Sequence, residues 1–133
     1  MPFPPRFVSL LRVRQVLLHE DDDDLRDALS ELLGLLGADA TIAVRSFADL
    51  LAHRAAALRC QLAILDVNLG PGAPSGIDAY RWLVDHGFGG EIIFLTGHAQ
   101  AHPLVREARK LPHVRVYEKP IDGRTLESLV VAP

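Results

Sequence analysis

Carboxylates, a hydroxyl and an ammonium group recur in this 133-residue chain just past short apolar runs. Asp66 closes Leu62-Ala63-Ile64-Leu65, and Glu20-Asp21-Asp22-Asp23-Asp24 follows Val16-Leu17-Leu18-His19. Thr96-Gly97 closes Ile92-Ile93-Phe94-Leu95, and Glu118-Lys119-Pro120 closes Val114-Arg115-Val116-Tyr117. Carboxylate and carbonyl oxygens suit Mg²⁺ (or Mn²⁺), which takes one or two carboxylates and borrows further oxygens from a phosphoryl group. Asp21, Asp66 and the backbone carbonyl of Asn68 can supply such a set. Thr96 can donate its hydroxyl to a phosphoryl oxygen, and Lys119 offers a compact positive charge to the same oxygen or to a neighbouring carboxylate.

Each signal also has an ordinary explanation. Carboxylates are favoured at a helix N-terminus, where Asp23 or Asp24 can serve as the N-cap. That does not account for Glu20 and Asp21, which sit at a strand end where mutual repulsion raises their pKa values unless a cation intervenes. Threonine before glycine is common turn chemistry. Lys-Pro is common too, although the proline can hold a cis peptide that turns the lysine inward. What unites the signals is their order: acids after the first run, Asp after the third, Thr after the fourth, Lys after the fifth.

Such groups meet only if the runs are strands of one sheet. Apolar runs near residues 13–18, 41–44, 62–65, 92–95 and 114–117 alternate with helical patterns, which predicts a mostly parallel sheet covered on both faces. In such a sheet the ligand crevice lies beyond the carboxyl ends of the strands, where every one of these residues falls. Leu25, Leu29, Leu32, Leu33 and Leu36 recur at helical steps and stop at Gly37, suited to the C′ position. Ser46 is a good N-cap for a second helix running through Leu50, Leu51 and Leu58, and a third begins after Gly76, with Trp82 and Leu83 as packing residues. Pro103 fits the first turn of a fourth helix bearing Leu104, Val105, Ala108 and Leu111, and a short fifth begins near Asp122.

The bulk properties frame the same picture. With 49% hydrophobic and 23% charged residues the chain is globular and of single-domain size. A net charge of −3 provides no basic field for direct DNA binding or an anionic membrane. No apolar stretch approaches the roughly 20 residues that span a bilayer. Cys60, alone, forms no internal disulfide or thiolate zinc cluster, and it reads as a near-core thiol. Residues 1–12 read as a loose leader without a signal-peptide core, which leaves 13–131 as the domain and a cytoplasmic location as the expectation. His19, His53, His86, His102 and His113 lack metal-ligand spacing and read as solvated or locally hydrogen-bonded.

The ordered set resembles the receiver domain of two-component response regulators, the CheY-like family, over residues 14–131. Val16-Leu17-Leu18-His19-Glu20-Asp21-Asp22 is similar to that family's first strand and acid pair, and Leu62-Ala63-Ile64-Leu65-Asp66 to its phosphoacceptor strand. Ile92-Ile93-Phe94-Leu95-Thr96-Gly97 is similar to its hydroxyl switch strand, and Glu118-Lys119-Pro120-Ile121 to its lysine–proline turn. The resemblance implies an α/β fold, a (βα)5 doubly wound, flavodoxin-like, five-stranded parallel sheet of order 2-1-3-4-5. It implies that Asp66 accepts a phosphoryl group, that Glu20, Asp21, Asp66 and the Asn68 carbonyl hold Mg²⁺, and that Thr96 and Lys119 hold the phosphoryl oxygens. The donor would be a sensor histidine kinase or histidine phosphotransfer protein. A stand-alone receiver would then signal by contact with a downstream protein or by phosphorelay, catalysing only its own phosphorylation and dephosphorylation.

Departures from the family pattern carry expectations of their own. The connection from Asp66 to Gly76 is about two residues longer than usual, with Gly70-Pro71 where Leu-Pro is common, which predicts altered access to the site. Val116 stands at the usual aromatic switch position with Tyr117 beside it, and strand alternation sends the two to opposite faces. Pro112-His113 replaces a glycine-rich approach to the last strand and predicts a displaced or loosely held fourth helix. Asn68 and His98, two past Asp66 and Thr96, fall where the resembled family tunes the lifetime of its phosphate. Two rival readings stand beside it: a phosphorylation-independent pseudo-receiver with the same fold, and a phosphatase of haloacid-dehalogenase type, which also uses an Asp nucleophile at a strand end but wants a second Asp where Asn68 stands.

Overall fold

The computed structural model describes residues 12–67, 74–97 and 102–132. In chain order these form β1 (Arg12–Val13), β2 (Gln15–His19), α1 (Asp23–Leu35), β3 (Ala40–Val44), α2 (Phe47–Ala52), α3 (Arg54–Leu58) and β4 (Leu62–Asp66). There follow α4 (Gly76–Asp85), β5 (Glu91–Thr96), α5 (Pro103–Arg109), β6 (Val114–Glu118), α6 (Gly123–Val130) and β7 (Val131–Ala132).

Every residue of β4 is buried, as an unbroken apolar run at the centre of a doubly covered parallel sheet must be. The sheet order is β3-β2-β4-β5-β6, all parallel, which is 2-1-3-4-5 when these five strands are numbered by themselves. On one face Leu17, Ala63, Leu65 and Phe94 pack against Leu50, Ala57, Ile77, Leu83, Val105 and Ala108 from α2 to α5. On the other, Val16, Leu18, Ile64, Ile93 and Leu95 meet Leu29 and Leu33 of α1 and Leu126, Leu129 and Val130 of α6. Among the described residues no helix is long and apolar enough to cross a membrane.

Local signals set most helix ends. Ser46 caps α2 by accepting from the Asp49 amide, Ser75 and Asp78 form a capping box on α4, and Asp122 accepts from Thr125 at the start of α6. Gly37, at φ +102°, follows the last turn of α1, where the Ala38 amide reaches back to the Leu33 carbonyl. The second helix is not continuous. It breaks at His53, whose backbone leaves the helical region at φ −109° and ψ 21° and whose ring Nδ1 lies 2.9 Å from the same Asp49 carbonyl that accepts its amide.

Two further differences concern the ends of the domain. A single strand over residues 13–18 is replaced by β1 and β2, because the chain changes partners at Arg14: its amide donates to the Val130 carbonyl and its carbonyl accepts from Asp39. β1 then pairs antiparallel with β7, Arg12 opposite Ala132 and Val13 opposite Val131. Of the residues assigned to a loose leader, Arg12 alone is described, and it lies in this ribbon. The fourth helix, expected to be loosely held, is seated by Val105 and Ala108, both fully buried.

Cys60 is 4% exposed, and burial pushes its thiol up to about 11. The thiolate is the reactive form, so at pH 8 an aromatic disulfide reagent is expected to leave the folded chain unmodified and to react after denaturation. Stoichiometric release of the reporter from folded protein at the rate of a free thiol would contradict that.

Candidate functional site

Among the described residues the buried polar side chains are His19, Glu20, Asp66 and Thr96, all at the carboxyl edge of the sheet. Buried charges need partners, and Lys119 supplies one. It directly follows β6 and precedes a cis Lys119–Pro120 peptide, its own amide donating to the Thr96 carbonyl at 2.8 Å. Its Nζ lies 2.7 Å from Glu20 Oε1 and 3.3 Å from Asp66 Oδ2. One carboxylate oxygen each from Glu20, Asp21 and Asp66 lies within 4.8 Å of the others. Asp21 is exposed, so the cluster opens to solvent on its side.

The acidic turn is built residue by residue. The Glu20 amide donates to the Val44 carbonyl at 3.0 Å, which carries the β2–β3 pairing one step past the strand. Asp22, not Asp23 or Asp24, is the N-cap of α1: its Oδ1 accepts from the Leu25 amide at 2.9 Å, leaving Asp23 and Asp24 in the first turn beside the helix dipole. The Asp22 amide in turn donates to Glu20 Oε2 at 3.2 Å. Arg26, one turn into α1, donates from Nη1 to the Glu20 carbonyl at 3.0 Å and from Nη2 to Asp23 Oδ1 at 2.5 Å. Sequence reasoning missed Arg26; its three-residue spacing from Asp23 was the available signal.

The electrostatics separate the carboxyls. Burial pushes Asp66 up to about 7, Glu20 beside it adds to the rise, and Lys119 opposes it. Burial also acts to raise Glu20, but the hydrogen bonds from Lys119 and the Asp22 amide outweigh it and hold this carboxyl below its usual range. Desolvation and Glu20 raise Asp21. Burial disfavours the Lys119 ammonium, yet Glu20 and Asp66 together raise its pKa, so it stays charged. Oxygen donors grouped around an open side, with excess negative charge, fit a hard divalent cation.

The structure brings Glu20, Asp21, Asp66, Thr96 and Lys119 to one edge of the sheet. Asn68 and His98, and the loop residues 68–73, lie outside the described residues. Val116 packs on the α2–α5 face and Tyr117 on the α1–α6 face, the opposition that alternation demands. Four of the histidines are placed as expected: His53 and His86 meet carbonyls one turn back, His102 accepts from the Leu104 amide, and His113 is exposed. His19 is the correction. It is 0% exposed, neither ring nitrogen has a hydrogen-bond partner among the described residues, and burial lowers its pKa to about 4 against the pull of Glu20. Alternation places it on the Leu17 face of a central strand, where both sides are covered.

A doubly wound five-stranded sheet with this group of acids, threonine and lysine at its carboxyl edge has the CheY-like architecture. The chain belongs to the response regulator receiver domain family, whose model matches residues 16–131. A response regulator receiver domain protein from Clostridium thermocellum is similar at TM-score 0.72 and 19% identity, covering 87% of this chain and 90% of that one. A CheY-like receiver domain from Methylobacillus flagellatus has TM-score 0.68 and 24% identity, covering 87% and 94%. The chemotaxis protein CheY4 of Vibrio cholerae has TM-score 0.71 and 20% identity, covering 86% and 93%. No curated protein matches the chain.

Proposed function

We propose that the chain accepts a phosphoryl group on Asp66 from a phosphohistidine of a sensor kinase or phosphotransfer protein. In the cytoplasm it would pass the signal on by protein contact or onward transfer. The observation that carries this reading is the reach of Lys119 to both Glu20 and Asp66, with Asp21 completing the cluster. In the transfer an Asp66 oxygen bonds to phosphorus as the P–N bond breaks and the donor imidazole takes the electron pair. Such transfer asks mainly for alignment and charge neutralisation. Lys119 neutralises one phosphoryl oxygen, and Thr96, buried beside the acid at the end of β5, meets another. Glu20, Asp21, Asp66 and the Asn68 carbonyl would hold Mg²⁺, which when bound supplies further positive charge for the phosphoryl oxygens.

Intact-mass measurement after incubation with acetyl phosphate and Mg²⁺ tests the reading. One phosphoryl adduct is expected on the parent chain and none on Asp66→Asn. Absence of an adduct on the parent, with a phosphorylated histidine kinase as donor as well, would leave a phosphorylation-independent interaction module. Lys119→Met removes the only cation paired with Glu20 and Asp66 among the described residues. Adduct formation is expected to slow roughly 10²-fold, the usual loss for one electrostatic stabiliser of a transition state. A parental rate would deny Lys119 its role.

A further inference from the structure

The acids of the turn repel one another, so their backbone needs a fixed support. Lys119 Nζ pairs with the Glu20 carboxylate, and the Lys119 amide bonds the Thr96 carbonyl on β5. Arg26 reaches the backbone of the turn: its Nη1 donates to the Glu20 carbonyl, part of the rigid peptide plane that joins Glu20 to Asp21. That one plane sets where both side chains start. Arg26 is 16% exposed, whereas its other partner, Asp23, is 78% exposed. The ion pair with Asp23 is therefore well screened and contributes little by itself, serving instead to aim the guanidinium. The bond to the carbonyl is charge-assisted and better shielded from solvent.

We propose that Arg26 is a positioning residue that holds the Glu20–Asp21 peptide so that the acidic turn is preassembled for a divalent cation. This rests on the metal-dependent reading of the site. Charge alone predicts the opposite sign, because a cation near the cluster repels a divalent ion and its removal should tighten binding. Lysine separates the two effects. It keeps the charge but, as a single flexible point donor, cannot span the Glu20 carbonyl and the Asp23 carboxylate as the planar fork does.

The test is an amide NMR titration of the full ¹⁵N-labelled chain with Mg²⁺ chloride, without phosphodonor, together with hydrogen exchange in the metal-free protein. Arg26→Lys is expected to weaken Mg²⁺ binding about tenfold, the scale of losing a group that orients metal ligands. The Asp22 amide, which donates to Glu20 Oε2, is expected to exchange faster in this variant, while Ile64 in the centre of β4 exchanges as in the parent. Arg26→Ala is expected not to bind more tightly than the parent. Parental affinity in Arg26→Lys, tighter binding in Arg26→Ala, or equal loss of protection at Asp22 and Ile64 would each overturn the proposal. A parent chain with no Mg²⁺-dependent shifts at Glu20, Asp21 or Asp66 would instead overturn the metal-dependent reading, a result distinct from variants that match a binding parent.

Discussion

Asp66→Asn is expected to be more stable than the parent at pH 8 without divalent cation, by about 2 kcal/mol, while losing phosphorylation altogether. Asp66 is pushed up to about 7 by burial and by Glu20, whereas an unfolded aspartate titrates near pH ~4. Between those values the folded chain holds the proton more tightly than the unfolded one. Stability therefore falls as pH rises through this window, and the full penalty is present above pH ~7. At about 1.4 kcal/mol per pH unit the ceiling is about 4 kcal/mol, and coupling to Glu20 and Lys119 brings the expectation to about half of that. Urea unfolding at pH 5, 6, 7 and 8 should show the variant and parent diverging as pH rises. Mg²⁺ should stabilise the parent at pH 8 more than the variant, since it relieves the repulsion that asparagine has already removed. A constant difference across that pH range would show that the Asp66 carboxyl is not held above its ordinary pKa.

Gly76→Ala is expected to destabilise the chain by roughly 3 kcal/mol, at the upper end for overpacking, and to slow adduct formation. A Cβ on Gly76 would lie 2.0 Å from the Asp66 carbonyl oxygen and 2.9 Å from its carbon. Both are backbone atoms, so no side chain can rotate away. The Gly76 amide also donates to the Val67 carbonyl at 2.9 Å, which ties the first turn of α4 to the end of β4. To admit the methyl, either α4 lifts off or β4 shifts with Asp66 at its end, and a displacement of about 1 Å at a reacting group can cost about 10² in rate. Gly34→Ala is the control. Nothing lies within 4 Å of its added Cβ inside α1, so there the gain in helix propensity of about 1 kcal/mol should appear unopposed. Equal urea midpoints for Gly76→Ala and the parent would show that the close approach is not rigid.

Most of the site was readable because its members sit at strand ends, and strand ends are marked by where apolar runs stop. Asp66, Thr96 and Lys119 were each located by the end of such a run, and the parallel topology brought them to one edge. The acid pair was found the same way, but its cap was misplaced: Asp22, Asp23 and Asp24 are equivalent as residue types, and only the hydrogen bond from the Leu25 amide selects Asp22. The break at His53 was hidden for a related reason, since histidine is a tolerable helix residue and its non-helical backbone is visible only in three dimensions.

The sheet order was implied by the family resemblance. The amino-acid sequence by itself determined the alternation of strands and helices, the two covered faces, most of the helix caps and the chemical types at the carboxyl edge. These follow from periodicity, turn residues and the cost of burying charge, all of which act over a few neighbouring positions. Tertiary structure alone decided which atoms of the acidic turn each cation meets. Lys119 is far from Glu20 along the chain and meets it through the folded sheet, whereas Arg26 is near in sequence but acts through a carbonyl whose direction no side-chain pattern records. It alone also decided that His19 is buried, that β1 turns away to pair with β7, and that Gly76 must lack a side chain. Each depends on what fills the space next to a residue, and that neighbour comes from a distant part of the chain or from the backbone itself.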